Sequence, residues 1–254
     1  NNQRKLSSRN MVKTAYSILE EIFTNQINVL NIAVPTIPHD QFSAKELCTL
    51  RNYDVQLVIN NDSEDLKVYV KNIDTTRPLH DSEVISETTP LLEVIEMLCV
   101  KEHVFVKVKK KVTHLVTRSD LDSIPVRIWL YGMISIFEFE IKEKIVQLDL
   151  SWEGQLTPQR LAKAEELYAL KLSKNEEISL LGCTQLGDVG TVVFKSWDHF
   201  KILFPSEYPK KIIQSSFNKI NSLRDALAHG QKLNLEWHEI HSLMKLISFS
   251  IGKI

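Results

Sequence analysis

The sequence predicts an α+β protein: an N-terminal helix and a mixed α/β module, followed by an all-helical module. Three observations carry this expectation. Apolar residues recur at spacings of three and four over residues 11–33, short β-rich runs alternate with short helical ones over residues 34–122, and the apolar period is helical over residues 124–254. With 254 residues, 43% of them hydrophobic, the chain has enough apolar surface to bury two moderate cores without disulfide or metal staples.

In residues 11–33, Val12, Tyr16, Ile18, Leu19, Ile22, Phe23, Ile27 and Leu30 mark one amphipathic helix, which Pro35 and Pro38 end. A repeating unit follows. Residues 43–50 read as a short helix, 55–60 as a strand, Asn61-Asp62-Ser63 as a polar turn, and 66–70 as a second strand that runs into Asp74. The order then recurs. Thr89 and Pro90 cap a helix with Leu92, Ile95 and Cys99 on one face; strand 103–108, a Lys-rich turn and strand 112–116 run into Asp120.

Ser123 as N-cap and Pro125 at the first helical position open the helical module. Leu130, Ile134, Phe137, Ile141, Ile145 and Leu148 define its first long helix. Thr157-Pro158 starts a second through Leu161, Ala164, Tyr168 and Leu172, and a third is expected over residues 184–204 with Leu186, Val189, Val193 and Phe200. A fourth, over 210–229, ends at Gly230, and Asn234 caps a fifth carrying Leu235, Ile240, Leu243, Ile247 and Ile251. Short connections make such helices antiparallel neighbours in a bundle.

The formal net charge of -1 argues against a surface that is one electrostatic magnet for nucleic acid or membrane. Cys48, Cys99 and Cys183 are an odd number without zinc-type spacing and read as buried thiols of a reducing compartment. The first residues are polar with no apolar run resembling a signal peptide, and nothing approaches the length of a membrane span, so the expectation is a cytoplasmic protein with no membrane partner. The run Lys107-Val108-Lys109-Lys110-Lys111 falls at a hairpin tip and lacks interleaved aromatics, which makes it solvated surface. Trp129, Trp152, Trp197 and Trp237 read as core, and His238 and His241, three apart, lack further ligands for a metal.

The residues that stand out are Arg224, Asp225 and His229, before Gly230. Ile213, Phe217, Ile220, Leu223 and Leu227 form the expected buried stripe, and Arg224 falls within roughly that arc. A guanidinium there needs an acid, a phosphate or an outlet to solvent, because burial without a partner costs several kcal/mol. Asp225 and His229 are four apart, so the carboxylate is placed to orient the imidazole, and the helix C-terminus favours its charged form. The trio suits RNA cleavage by attack of a 2′-hydroxyl on its own phosphate, with His229 moving the proton and Arg224 holding the phosphate charge. That reaction requires no metal ion, and the sequence has no clustered carboxylates to bind one. Because Arg224 and His229 lie about 140° apart on an ideal helix, two copies facing each other across a twofold axis complete the site. The same spacing also fits an Arg in a core salt bridge and a His that merely caps its helix.

An Arg, a polar residue, three more and a His on the penultimate helix of an all-helical module resembles the RxxxxH signature of HEPN domains. The likeness covers residues 124–254 and implies a metal-independent endoribonuclease acting as a homodimer, with Arg224, Asp225 and His229 at the interface and RNA as substrate. Members of that family without cleavage activity serve as binding or scaffold modules. Residues 34–122 resemble a CBS-domain pair, on His114-Leu115-Val116-Thr117-Arg118-Ser119-Asp120. By that likeness Thr117 meets a nucleotide phosphate and Asp120 the ribose hydroxyls, while Asp74 takes the Asp position of the first repeat. His114 and Val68 stand where that family has glycine, and Lys71 where it has Thr. The pair so implied either binds an adenine nucleotide as effector or serves as a dimerisation platform. Together the resemblances imply a nucleotide-regulated ribonuclease of the stress-response, toxin or antiphage type, requiring no cofactor for cleavage and open to an inhibitor protein. The other reading is a non-catalytic nucleotide-sensing regulator that binds a protein partner.

Overall fold

The structure is a computed structural model that describes residues 19, 21–51, 53–59 and 66–253. Much of the expected N-terminal helix and the turn Asn61-Asp62-Ser63 lie outside the described residues. The chain is α+β and divides into two compact units, Asn25–Val126 and a second built on Arg127–Ile254 that takes in the segment up to Thr24. No helix among the described residues is long and apolar enough to cross a membrane.

The expected helix over 11–33 does not continue to its end. After a π-helical turn at Ile22–Gln26, the Asn28 side chain accepts from Leu30 N at 3.0 Å and caps a short 3-10 turn, Val29–Asn31. Asn offers the backbone this local alternative to helix. Leu30 consequently stands exposed rather than on a buried stripe.

The α/β unit carries β1 (Val34–Pro35), α1 (Gln41–Leu50), β2 (Val55–Val58), β3 (Lys67–Val70) and β4 (Thr75–Pro78), then β5 (Val84–Ser86), α2 (Leu91–Val100), β6 (His103–Val108) and β7 (Lys111–Thr117). Asp40 caps α1, its Oδ1 accepting from the N–H groups of Phe42 and Ser43 at 3.0 Å each. One sheet has the order β2-β3-β4, all antiparallel, and the other β1-β7-β6-β5, with β5 parallel to β6. His39, before α1, makes a parallel bridge to Val58 on β2, as β5 before α2 runs parallel to β6. The duplicated order is therefore extended segment, helix, parallel strand, antiparallel strand. Val55, Leu57, Val68 and Phe105 pack together from the two repeats as one core cluster.

Two details depart from the expectation here. Helix α2 buries Leu91, Val94, Ile95 and Leu98, leaving Leu92 and Cys99 half-buried. Its N-cap is Pro90, and the Thr89 carbonyl instead accepts from Val29 N at 3.0 Å. The lysines at 107 and 109–111 are exposed around a tight turn in which Lys109 takes φ 55°.

The helical unit contains α3 (Ile124–Gln147), α4 (Pro158–Ser173), α5 (Leu186–Lys195), α6 (Trp197–Phe200), α7 (Lys210–Ala228) and α8 (Trp237–Ile251). Leu130, Ile134, Phe137, Ile141 and Ile145 of α3 are buried as their spacing predicts. Ser123 precedes α3, but its hydroxyl is buried without a hydrogen-bond partner, so it does not cap; Pro125 takes the second helical position. Thr157 does cap α4, accepting from Arg160 N at 3.4 Å. Arg160 then ties α4 to α5 by two bonds to the Asp188 carboxylate, each 2.7 Å. Burial pushes the Asp188 carboxyl up, but the Arg160 bonds, the Gln185 N–H and the charges of Arg160 and Lys142 outweigh it and hold it below the usual carboxylate value.

The single helix expected over 184–204 is broken at Ser196, whose hydroxyl accepts from Gln155 Nε2 at 3.0 Å while its backbone leaves helical geometry (ψ 33°). The break lets the Trp197 ring stack on Phe194 and Phe204, with centroids 5.8 and 5.6 Å away. Helix α8 starts after Glu236, whose N–H donates to the Glu239 carboxylate at 3.3 Å, and not at Asn234.

Candidate functional site

Helix α7 buries Ile213, Phe217, Ile220, Leu223 and Ala226, while Leu227, expected on this stripe, is half-buried. Its end is a Schellman motif: Gly230 N–H donates to Leu227 O at 3.3 Å and Gln231 N–H to Ala226 O at 2.9 Å. Gly230 takes φ +64°, a conformation costly for a residue with a Cβ. This geometry puts His229 at the C-cap, outside the helix proper (φ -99°, ψ 8°), with its side chain exposed.

Arg224 is not sealed in the core. Its side chain is 27% exposed, and Nη1 donates to Asp225 Oδ1 at 3.0 Å, Asp225 itself being 51% exposed. The permanent charge thus has both an outlet to solvent and an acid neighbour, which removes the desolvation cost that its position on the stripe threatened. A core salt bridge is not what holds it. Nor does Asp225 orient His229: the carboxylate turns to Arg224, and among the described residues the imidazole makes no hydrogen bond. The capping at His229 comes from its backbone, whose N–H donates to Asp225 O at 3.1 Å. Ideal helix geometry leaves Arg224 and Asp225 about 100° apart. The ion pair therefore draws the guanidinium round toward the Asp225 face.

The α/β unit carries a cleft of about 520 Å³ between the start of β2, the start of β6 and the end of β7. Thr117 and Asp120 both line it. Asp120 Oδ2 accepts from Thr117 N at 2.7 Å and from Thr117 Oγ1 at 2.8 Å, closing a one-turn cap. Its other oxygen has no protein partner among the described residues, which leaves an acceptor free on a residue that lines the cleft. His114, at the position of the expected glycine, is not a wall of the cleft; its Nδ1 lies 2.9 Å from Thr113 Oγ1.

Asp74 does not belong to this site. It sits in a left-handed turn (φ 46°), its Oδ1 accepting from Tyr69 OH at 2.8 Å and its Oδ2 from Lys45 Nζ at 2.7 Å. Both oxygens are held by the protein, and the pair of contacts braces the end of β3 against α1.

Two lining residues carry no motif in the sequence. Gln56 is buried, its Nε2 donating to Ile37 O at 2.9 Å, and a lone amide in the apolar run Val55–Val58 was the only signal of it. His103 stacks edge-on against Phe105 with its Nε2 buried and without a hydrogen bond, 3.7 Å from Glu83 Oε1. Burial pushes the His103 imidazole below its ordinary value, and the Glu83 carboxylate, already paired twice with Arg77, does not restore it. No group of three or more His, Cys, Asp or Glu that could hold a metal ion occurs among the described residues. In comparison with known proteins, the chain matches no family model and no curated protein.

Proposed function

We propose that the protein is a metal-independent endoribonuclease of the HEPN type, acting as a homodimer and regulated by an adenine nucleotide in the CBS-like cleft. The observation that carries the reading is the Arg224–Asp225 contact, which holds a solvent-reaching guanidinium beside a carboxylate five residues before an exposed imidazole. The chemistry follows from those groups. An imidazole takes the proton of a 2′-hydroxyl as the 2′-oxygen bonds to phosphorus, the P–O5′ bond breaks, and the leaving 5′-oxygen receives a proton. Arg224 neutralises the phosphate oxygens as charge gathers on them, and Asp225 positions Arg224. Attack and departure occur on opposite sides of the phosphorus, so one imidazole serves as base and a second as acid. A twofold dimer supplies that second His229. Total RNA incubated with the full chain in a chelator tests the reading. Cleavage by wild type and none by the Arg224→Ala, His229→Ala double variant supports it, and identical gels end it.

The cleft favours a second reading, a non-catalytic nucleotide sensor that signals to a protein partner. Asp120, with one free oxygen beside Thr117, suits a ribose hydroxyl. AMP, ADP or ATP at a hundred times its Kd stabilises the fold by about 2.7 kcal/mol, which for a chain of this size raises Tm by roughly 5–10 °C. Asp120→Ala is expected to abolish that rise. No shift in wild type with any of the three removes the nucleotide from both readings.

A further inference from the structure

Helices α5 and α7 pack side by side, and a groove of about 410 Å³ runs between them on the outer side. Beside Phe217, its α7 wall carries Gln214, Asn218 and Asn221, at spacings of four and three, and Asp225 continues the same spacing, these four within an arc of about 60°. None of the three carboxamides has a hydrogen-bond partner in the protein among the described residues. The α5 wall combines Leu186, Thr191 and Phe194 with two glycines, Gly187 and Gly190. Gly190 is needed for packing, since a Cβ there would lie 3.2 Å from the Phe217 ring. Gly187 is not: a Cβ there would meet only Asn221 Oδ1, at 4.0 Å, so its missing side chain leaves the groove open without serving the core.

The lining holds no carboxylate, and Lys195 and Lys210 stand at the end away from Asp225. Lys195 Nζ donates to Gln155 O at 2.6 Å, which leaves further N–H groups for a phosphate, and Lys210 Nζ lies 5.8 Å from the Trp197 ring centroid. Carboxamides present a donor and an acceptor together, which meets the edges of unpaired bases, and the cations favour a phosphodiester backbone over a neutral or basic peptide. From Asn218 to Asp225 the helix rises by about 10 Å, a span of a few nucleotides. The geometry points to this groove as the track for single-stranded RNA, holding the nucleotides on one side of the linkage that Arg224 and His229 cut. It rests on the cleavage reading above for what happens at its end, but its binding is measurable without cleavage.

The test is fluorescence anisotropy of the full chain with a short labelled 2′-O-methyl RNA, which cannot be cut, for wild type, His229→Ala, the Asn218→Ala, Asn221→Ala double variant, and Gly187→Leu. Gly187 and Asn218 are exposed and Asn221 half-buried, so thermal melts near the wild-type value are expected to show the fold kept. His229→Ala is expected to bind as wild type does, and both groove variants about tenfold or more weakly. Binding that is indifferent to both groove variants, or no binding of RNA by wild type, overturns the track. If His229→Ala loses cleavage while the groove variants bind and cut normally, the cleavage reading stands and the track falls. If binding follows the groove but wild type cuts nothing, the track stands and the cleavage reading falls. Loss of a co-purified protein partner in Gly187→Leu with RNA binding unchanged assigns the groove to that partner and overturns the proposal.

Discussion

His229→Ala is expected to lower RNA cleavage by about 10²–10⁴-fold, the usual contribution of a positioned acid or base, while leaving the thermal midpoint within error of wild type. The stability half of this expectation follows from the structure. The imidazole is exposed and without hydrogen bonds among the described residues, and the C-cap bonds of α7 are made by the backbone, so the truncation removes nothing that holds the fold. Arg224→Ala breaks only a partly exposed pair with its neighbour, of the kind that contributes about 0–1 kcal/mol. It is expected to cost about 10²–10³-fold in cleavage, as removal of a transition-state donor does. Arg224→Lys keeps the charge but loses the planar fork, so only partial activity returns. Groups that act together are not additive, and the double variant is expected to be little worse than the poorer single one. Initial rates on one RNA in a chelator, with melting curves beside them, measure all of this. Variants that melt and cut like wild type would show that the two residues are not the cutting groups.

The largest loss of stability is expected at Phe217, where truncation to Ala costs about 3–5 kcal/mol. Phe217 is buried at the centre of an aromatic group, its centroid 5.3 Å from Phe137, 5.1 Å from Phe194 and 5.9 Å from Phe204. Those rings come from α3, from α5 and from the segment after α6, so one side chain joins three parts of the helical unit. Gly190 fits against the same ring, and a hole there cannot be closed by a small shift of α5 alone. In urea the midpoint falls accordingly, and for a domain of this size the melting temperature drops by about 10 °C or more. Phe217→Leu, which keeps most of the volume, is expected to lose less than half as much. Equal losses for the two variants would mean that the site collapses freely and that the packing read from the ring contacts is not what holds α7.

Helix α7 was readable because three independent signals agree on it: Pro209 before it, a stripe at helical spacing, and Gly230 after it. The strands β1, β4 and β5 were not, since they are two to four residues long, two of them include Pro, and β1 and β5 depend on partners remote in sequence. The break at Ser196 escaped for a related reason: Val193 and Phe200 keep the helical period across it, while the cause is a tertiary stack around Trp197. At the candidate sites, residue types were legible and partners were not. Arg224 lies in the helix as its spacing predicts, whereas His229 falls just outside it, and which of them Asp225 holds is set by a side-chain contact that no pattern records. Asp120 and Asp74 were expected at equivalent repeat positions, yet of the two only Asp120 lines the cleft, and Asp74 pairs with Lys45 and Tyr69. Gln56 and His103 became lining residues because strands of two separate sheets meet at the cleft, which no local pattern records.

The most direct measurement uses two RNA strands that differ by a single 2′-deoxy sugar at the cut position, incubated with wild-type protein in a chelator, with the product ends identified by mass spectrometry. The expected result is a cut in the all-ribose strand, leaving a 2′,3′-cyclic phosphate and a 5′-hydroxyl, and no cut at the deoxy position. Cleavage at the deoxy position, or ends bearing a 5′-phosphate, would show that the neighbouring hydroxyl is not the nucleophile and would contradict the role given to Arg224 and His229.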